Sequence, residues 1–136
     1  MVEVKTNGLD RFLANPDPGA RVVLLAGRDR GRVKEAAGRI QSHWFNGAPD
    51  PMNLHVFHAS EWRGNPNSIL EALLSPTLMG GKRLIRVVDA DKALVKTIEG
   101  WLQLSGQAPE ALLVLESGDL AKSDGLRKLA SNALNA

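Results

Sequence analysis

Apolar positions along this chain alternate between short continuous runs and stretches with a helical repeat. Arg21–Ala26 (RVVLLA) is a continuous run closed by Gly27, the pattern of a strand buried on both faces. Arg32–Phe45 then places Val33, Ala36, Ala37, Ile40 and Trp44 at offsets 0, 3, 4, 7 and 11, one face of a 3.6-residue period. NGAPDP, Asn46–Pro51, is a loop by composition. Asn53–His58 (NLHVFH) predicts a second strand, with a loop through Trp62 to Asn65 behind it. Pro66 suits the first turn of a helix that runs to about Leu74.

Arg83–Asp89 reads as a third strand, and Ala93–Leu104 as a helix with Leu94, Ile98, Trp101 and Leu102 on one side. Ala111–Glu116 (ALLVLE) is a fourth strand. Ser123 or Asp124 caps a last helix carrying Leu126, Leu129, Ala130 and Ala133. Ahead of all this, Leu9–Ala14 predicts a short helix ended by NPDPG at Asn15–Gly19, and residues 1–20 form an N-terminal arm and linker. Strands alternating with helices of this length call for crossover connections and a mostly parallel sheet, hence one three-layer α/β domain over residues 1–136. The chain stops at ASNALNA, in or just after a helix that such a domain usually follows with a strand. The expectation is a fragment of a longer multidomain chain.

Between the helix ending at Leu74 and the strand beginning at Arg83 lies SPTLMGGK. Pro76 cannot continue the helix, and Gly80-Gly81 holds regular structure only at an entropic cost. Leu78 and Met79 therefore sit on a short connector. Apolar residues at such a place are either folded under the sheet edge or displayed to a partner.

Composition narrows the class of function. The 43% hydrophobic and 24% charged residues are those of a folded globular domain. A pI near 9.2 sounds basic, yet a net charge of +2 is a weak field for nucleic acid. Without cysteine there is no disulfide or thiol chemistry, which leans toward a reducing cytosol. No apolar run approaches about 18 residues, and MVEVKTNGLDRF lacks the apolar core of a signal peptide. A cytoplasmic location without membrane contact is expected.

The turn GRDRGRV, Gly27–Val33, stands where a P-loop would carry G-x-x-x-x-G-K-[ST]. Gly27 and Gly31 are one residue too close, and Arg32-Val33 replaces the Lys-hydroxyl pair that reaches phosphate and magnesium. The turn is a degenerate phosphate loop, not expected to bind nucleotide, though Arg28, Arg30 and Arg32 face any stray anion. Asp89 and Asp91 sit where ATPases hold magnesium, but without a working loop Asp89 is a strand-end residue and Asp91 the cap of the next helix. A phosphoreceiver would use Asp89 and Lys122, yet only Asp29 follows the first strand where a metal-binding acidic pair is required. His55 and His58, three apart on a strand, point to opposite faces and hold no metal. Trp44, Trp62 and Trp101 are read as core or packing residues, and no Ser/His/Asp order suggests nucleophilic catalysis.

Three segments, FLANPDPGARVVLLAGRDRGRVKEAA, SPTLMGGKRLIRVVDAD and LVLESGDLAKSDGLRKLASNALNA, together resemble the N-terminal domain of the delta subunit of the bacterial DNA polymerase III clamp loader. The likeness covers nearly the whole chain and rests on the order and spacing of all three. It implies a P-loop NTPase/AAA+-like fold that does not bind ATP, and hence no cofactor and no catalytic activity in this chain, although its holoenzyme is a DNA-directed DNA polymerase. In the family the connector before the third strand commonly reads Ser-Leu-Phe, enters a hydrophobic pocket on the sliding clamp and helps open one clamp interface. The matching positions are Thr77, Leu78 and Met79, with Met79 in place of the Phe. The implied partners are the sliding clamp (the beta subunit), other clamp-loader subunits through domains beyond these residues, and DNA only indirectly. A nucleotide-binding domain and a phosphoreceiver remain the alternatives.

Overall fold

A computed structural model describes residues 2–5, 9–14, 21–47, 51–75, 82–104, 110–118 and 124–134. Five strands, β1 (Val2–Lys5), β2 (Val22–Ala26), β3 (Leu54–Phe57), β4 (Arg83–Val88) and β5 (Ala111–Ser117), form one sheet in the order β1-β2-β5-β4-β3. Every pairing is parallel. The helices are α1 (Leu9–Ala14), α2 (Arg30–Phe45), α3 (Ala59–Trp62), α4 (Asn67–Leu74), α5 (Val95–Leu104) and α6 (Gly125–Leu134). The α/β reading is thereby borne out, with a sheet wholly parallel.

A parallel sheet must be covered on both faces, and the alternation of its strands supplies the cover. Val22 and Leu24 of β2, Ile85 and Val87 of β4, and Leu113 and Leu115 of β5 pack with Trp62, Ile69, Leu73, Ile98, Trp101 and Leu126 of α3 to α6. The intervening residues Val23, Leu25, Leu84, Leu112 and Val114 meet Val33, Ala36, Ala37 and Ile40 of α2, with Leu9 of α1 and Val4 of β1. Central β5 is buried along its whole length. Edge strand β3 is not: Leu54 and Val56, on the α2 side, stay half-buried.

Two elements differ from the sequence pattern. Val2–Lys5 pairs alongside β2 and is part of the sheet, where the pattern gave only an arm. Four residues with two charges carry too little period to announce a strand. Its side chains find partners only in the fold: Val4 is buried, and Arg127 of α6 donates through Nε to Glu3 Oε1 at 3.1 Å. The predicted loop through Trp62 is the one-turn helix α3, begun where the His58 N–H donates to Glu61 Oε1 at 3.2 Å. Trp62 then lies fully buried.

The tryptophans are packing residues, as their positions predicted. Trp62 and Trp101 have no exposed surface, and each donates its indole N–H to a backbone carbonyl, Val88 O at 3.0 Å and Arg21 O at 3.3 Å. Half-buried Trp44 donates to Arg83 O at 3.1 Å, with the Lys82 ammonium over its ring. Among the described residues no helix is long and apolar enough to cross a membrane.

Candidate functional site

Thr77, Leu78 and Met79 lie outside the described residues, as do Pro76, Gly80, Gly81, Lys122 and Ser123. What is described is the pair of stems that carry the connector. On the first stem, Ser75 ends α4: its N–H and its hydroxyl both donate to Glu71 O, at 3.0 and 2.7 Å. On the second, Arg83 opens β4 and its guanidinium turns back to donate from Nη1 to Ala72 O and Ser75 O. A cation on the last carbonyls of a helix satisfies acceptors that have no partner within it and matches the negative end of its dipole. One side chain thus ties the two ends of the connector together. Lys82 and Arg83 are further held to Trp44 at the C-terminal end of α2. A shallow depression of about 200 Å³ beside the stems is lined by Met52, Ala72, Ser75 and Arg83. Met52 is the most exposed large apolar side chain among the described residues, at 71%.

The turn Gly27–Val33, which the sequence pattern set beside a phosphate loop, lies at the other end of the sheet. Between β2 and α2 stand only Gly27, Arg28 and the capping residue Asp29. The Asp29 carboxylate accepts from Gly31 N at 3.0 Å and from Arg32 N at 3.3 Å. Those are the first-turn donors that a phosphate would need. The chain meets them with its own anion. Gly31 and Arg32 are therefore first-turn residues of a self-capped helix, and Gly27 is the turn that leaves the strand. The capping role of Asp29 was readable from Asp followed by a helical period, although the arginines draw the eye.

Asp89 and Asp91 take the structural parts expected of them. Asp91 accepts from Ala93 N at 2.9 Å, capping the 3-10 turn Lys92–Leu94 that leads into α5, and pairs with Arg63 at 2.7 Å. Asp89 follows β4 with a left-handed backbone, φ 58°, and its carboxylate faces Arg30 at 3.4 Å. Asp124 caps α6, accepting from Leu126 N at 2.9 Å. His55 stacks on Phe57 with ring centroids 4.0 Å apart. Among the described residues no three His, Cys, Asp or Glu side chains gather to hold a metal.

Sequence reasoning missed a crevice of about 390 Å³ over the C-terminal ends of β3, β4 and β5. Arg30, Val33 and Lys34 of α2 form one wall, and Val56, His58, Arg86, Val88 and Asp89 the other. Glu116, Ser117 and Gly118 close it. Open α/β sheets bind ligands at this end of their strands. No sequence signal gathers these residues, because strand order alone makes them neighbours. Comparison with protein-family models, with curated proteins and with solved structures found no match.

Proposed function

We propose that this chain is the AAA+-like N-terminal domain of a clamp-loader delta subunit, an adaptor that binds the sliding clamp through Thr77, Leu78 and Met79 and hydrolyses no nucleotide. The observation that carries the reading is the apolar pair of TLMGGKR on a connector whose two stems Arg83 ties together. Fixed stems reduce the conformational freedom lost on docking, so more of the energy of burying two apolar side chains remains as affinity. Full burial of Leu78 and Met79 contributes roughly 1.5–3 kcal/mol each. Met is flexible and polarisable and fills a pocket shaped for an aromatic at a greater loss of rotamer freedom.

The self-capped turn at Asp29 supports the non-hydrolysing part of the reading. It takes two of the backbone donors a nucleotide-binding P-loop would use, and the lysine and hydroxyl of such a loop are missing from the sequence. The phosphoreceiver alternative meets a different obstacle. The flavodoxin-like order 2-1-3-4-5 places the first strand of the alternation between the second and third, whereas here β5 separates β2 from β4.

The test is surface plasmon resonance over the immobilised sliding clamp of the same organism, with wild type beside a Leu78→Ser, Met79→Ser double variant. Saturable binding that the double variant loses, with an unchanged circular dichroism spectrum, supports the reading. Equal binding by the folded variant overturns the site.

A further inference from the structure

We propose that the crevice between α2 and the ends of β3, β4 and β5 binds a small, metal-free anion with an apolar body: one carboxylate or phosphate monoester on an aromatic or aliphatic frame. The apolar part follows from packing. Helix α2 lies over β2 and β5 and leaves the ends of β4 and β3 uncovered, so Val33, Val56 and Val88 line a recess. Its volume of about 390 Å³ is that of a small-molecule site.

Charge supplies the anionic part. Arg30, Lys34 and Arg86 line the crevice against Asp89 and Glu116, three cationic side chains to two anionic ones. Arg86 and Glu116 are engaged with each other at the floor, Nε to Oε2 at 2.9 Å and Nη2 to Oε1 at 3.2 Å. Arg30 meets Asp89 through a single 3.4 Å contact with its own side chain 81% exposed, a pair too well solvated to resist a competing anion. Exposed Lys34 has no partner among the described residues. An anion placed between Arg30 and Lys34 therefore displaces only a weak contact. It also frees the Asp89 carboxylate to accept from a donor on the ligand.

Asp89 is built to hold that position. Its left-handed backbone is held on one side by Trp62 Nε1 donating to Val88 O at 3.0 Å and on the other by Ala90, whose N donates to Glu116 O at 2.9 Å and whose O accepts from Ser117 Oγ at 2.7 Å. Strain of this kind persists where the surroundings enforce it, and it collects at ligand sites. A polyphosphate is disfavoured by the same geometry. Asp29 occupies the first-turn N–H groups, and Val33 stands where a hydroxyl would hold magnesium. The crevice lies at the C-terminal end of β4 and the connector stems at its N-terminal end, so this site shares no residue with the proposed clamp contact.

The experiment is a titration of ¹⁵N-labelled protein followed by amide chemical shifts, with adenosine monophosphate, indole-3-acetate, inorganic phosphate and Mg-ATP as separate probes. The expected result is saturable shifts at Lys34, Val56, Ser117 and Gly118 with the monophosphate, the indole acid or both. Inorganic phosphate should bind more weakly than either. Lys34→Ala, an exposed change that leaves the fold intact, should weaken binding about five- to tenfold by removing a charge-assisted contact. No saturation by either organic anion up to about 10 mM overturns the proposal, since weaker binding is not site-specific recognition. Inorganic phosphate binding as well as the organic anions, Mg-ATP binding more tightly than the monophosphate, or an unchanged affinity in Lys34→Ala would each overturn it too.

Discussion

Arg86 of β4 and Glu116 of β5 form a two-point ion pair across neighbouring strands, with side chains only 13% and 6% exposed. Gln41 of α2 accepts a third bond from Arg86 Nη1 at 3.3 Å. A buried charge persists only when paired and hydrogen-bonded, and this pair forms the floor of the strand-end crevice. Removing one partner should hurt far more than removing both. Arg86→Met is expected to cost about 3–5 kcal/mol, and the Arg86→Met, Glu116→Leu double variant much less than the sum of its parts. Urea unfolding of Arg86→Met, Glu116→Leu and the double variant measures the difference.

Asp29 should matter to stability in proportion to its two backbone acceptor bonds. Asp29→Ala should destabilise by about 0.5–2 kcal/mol and Asp29→Asn by clearly less, since Asn is an equally good cap. The midpoints of chemical denaturation report both. Calorimetry with Mg-ATP should remain silent in either variant, because the lysine and hydroxyl of a phosphate loop are still missing.

The fully buried indole of Trp62 is anchored to Val88 O, next to the strained turn at Asp89. Trp62→Phe removes the donor and leaves that carbonyl short of a partner, a loss of about 1–3 kcal/mol. Trp62→Ala adds a cavity and should cost about 3–5 kcal/mol. Trp44→Phe, at a half-buried site, should cost less than Trp62→Phe in the same assay.

Strand β1 and helix α6 are joined through Glu3 and Arg127, an ion pair whose side chains are 15% and 23% exposed. Deleting residues 1–5 removes that partner and leaves the β2 edge unpaired. Lower thermal stability and a greater tendency to aggregate are expected, since an open apolar edge strand templates pairing with other chains. Thermal melts and light scattering of the shortened protein test this.

Arg83 offers a separate handle on the proposed clamp contact. Arg83→Gln should weaken clamp binding several-fold by freeing the connector stems while leaving Leu78 and Met79 in place. Met79→Phe should strengthen it, since a two-torsion aromatic loses less rotamer freedom on docking. Surface plasmon resonance of both variants, with helicity checked by circular dichroism, separates stem from tip.

Local pattern determined much of this protein by itself. Continuous apolar runs at Val22–Ala26 and Ala111–Leu115 and the 3.6-residue spacing from Val33 to Trp44 depend only on which neighbours along the chain share a face, so strand and helix identities were readable. That Arg32-Val33 offers neither a lysine nor a hydroxyl was likewise readable, because it is a fact of sequence. Strand order was decided by the tertiary structure alone. It set β5 between β2 and β4, and so brought Arg86 to Glu116 and Asp89 to Arg30 from positions 30 and 59 residues apart in sequence. It also made a strand of Val2–Lys5, whose few residues become regular only against the β2 edge and α6. Contacts of that range carry no signal in a periodic pattern, because their energy is gained only after the whole chain has closed on itself.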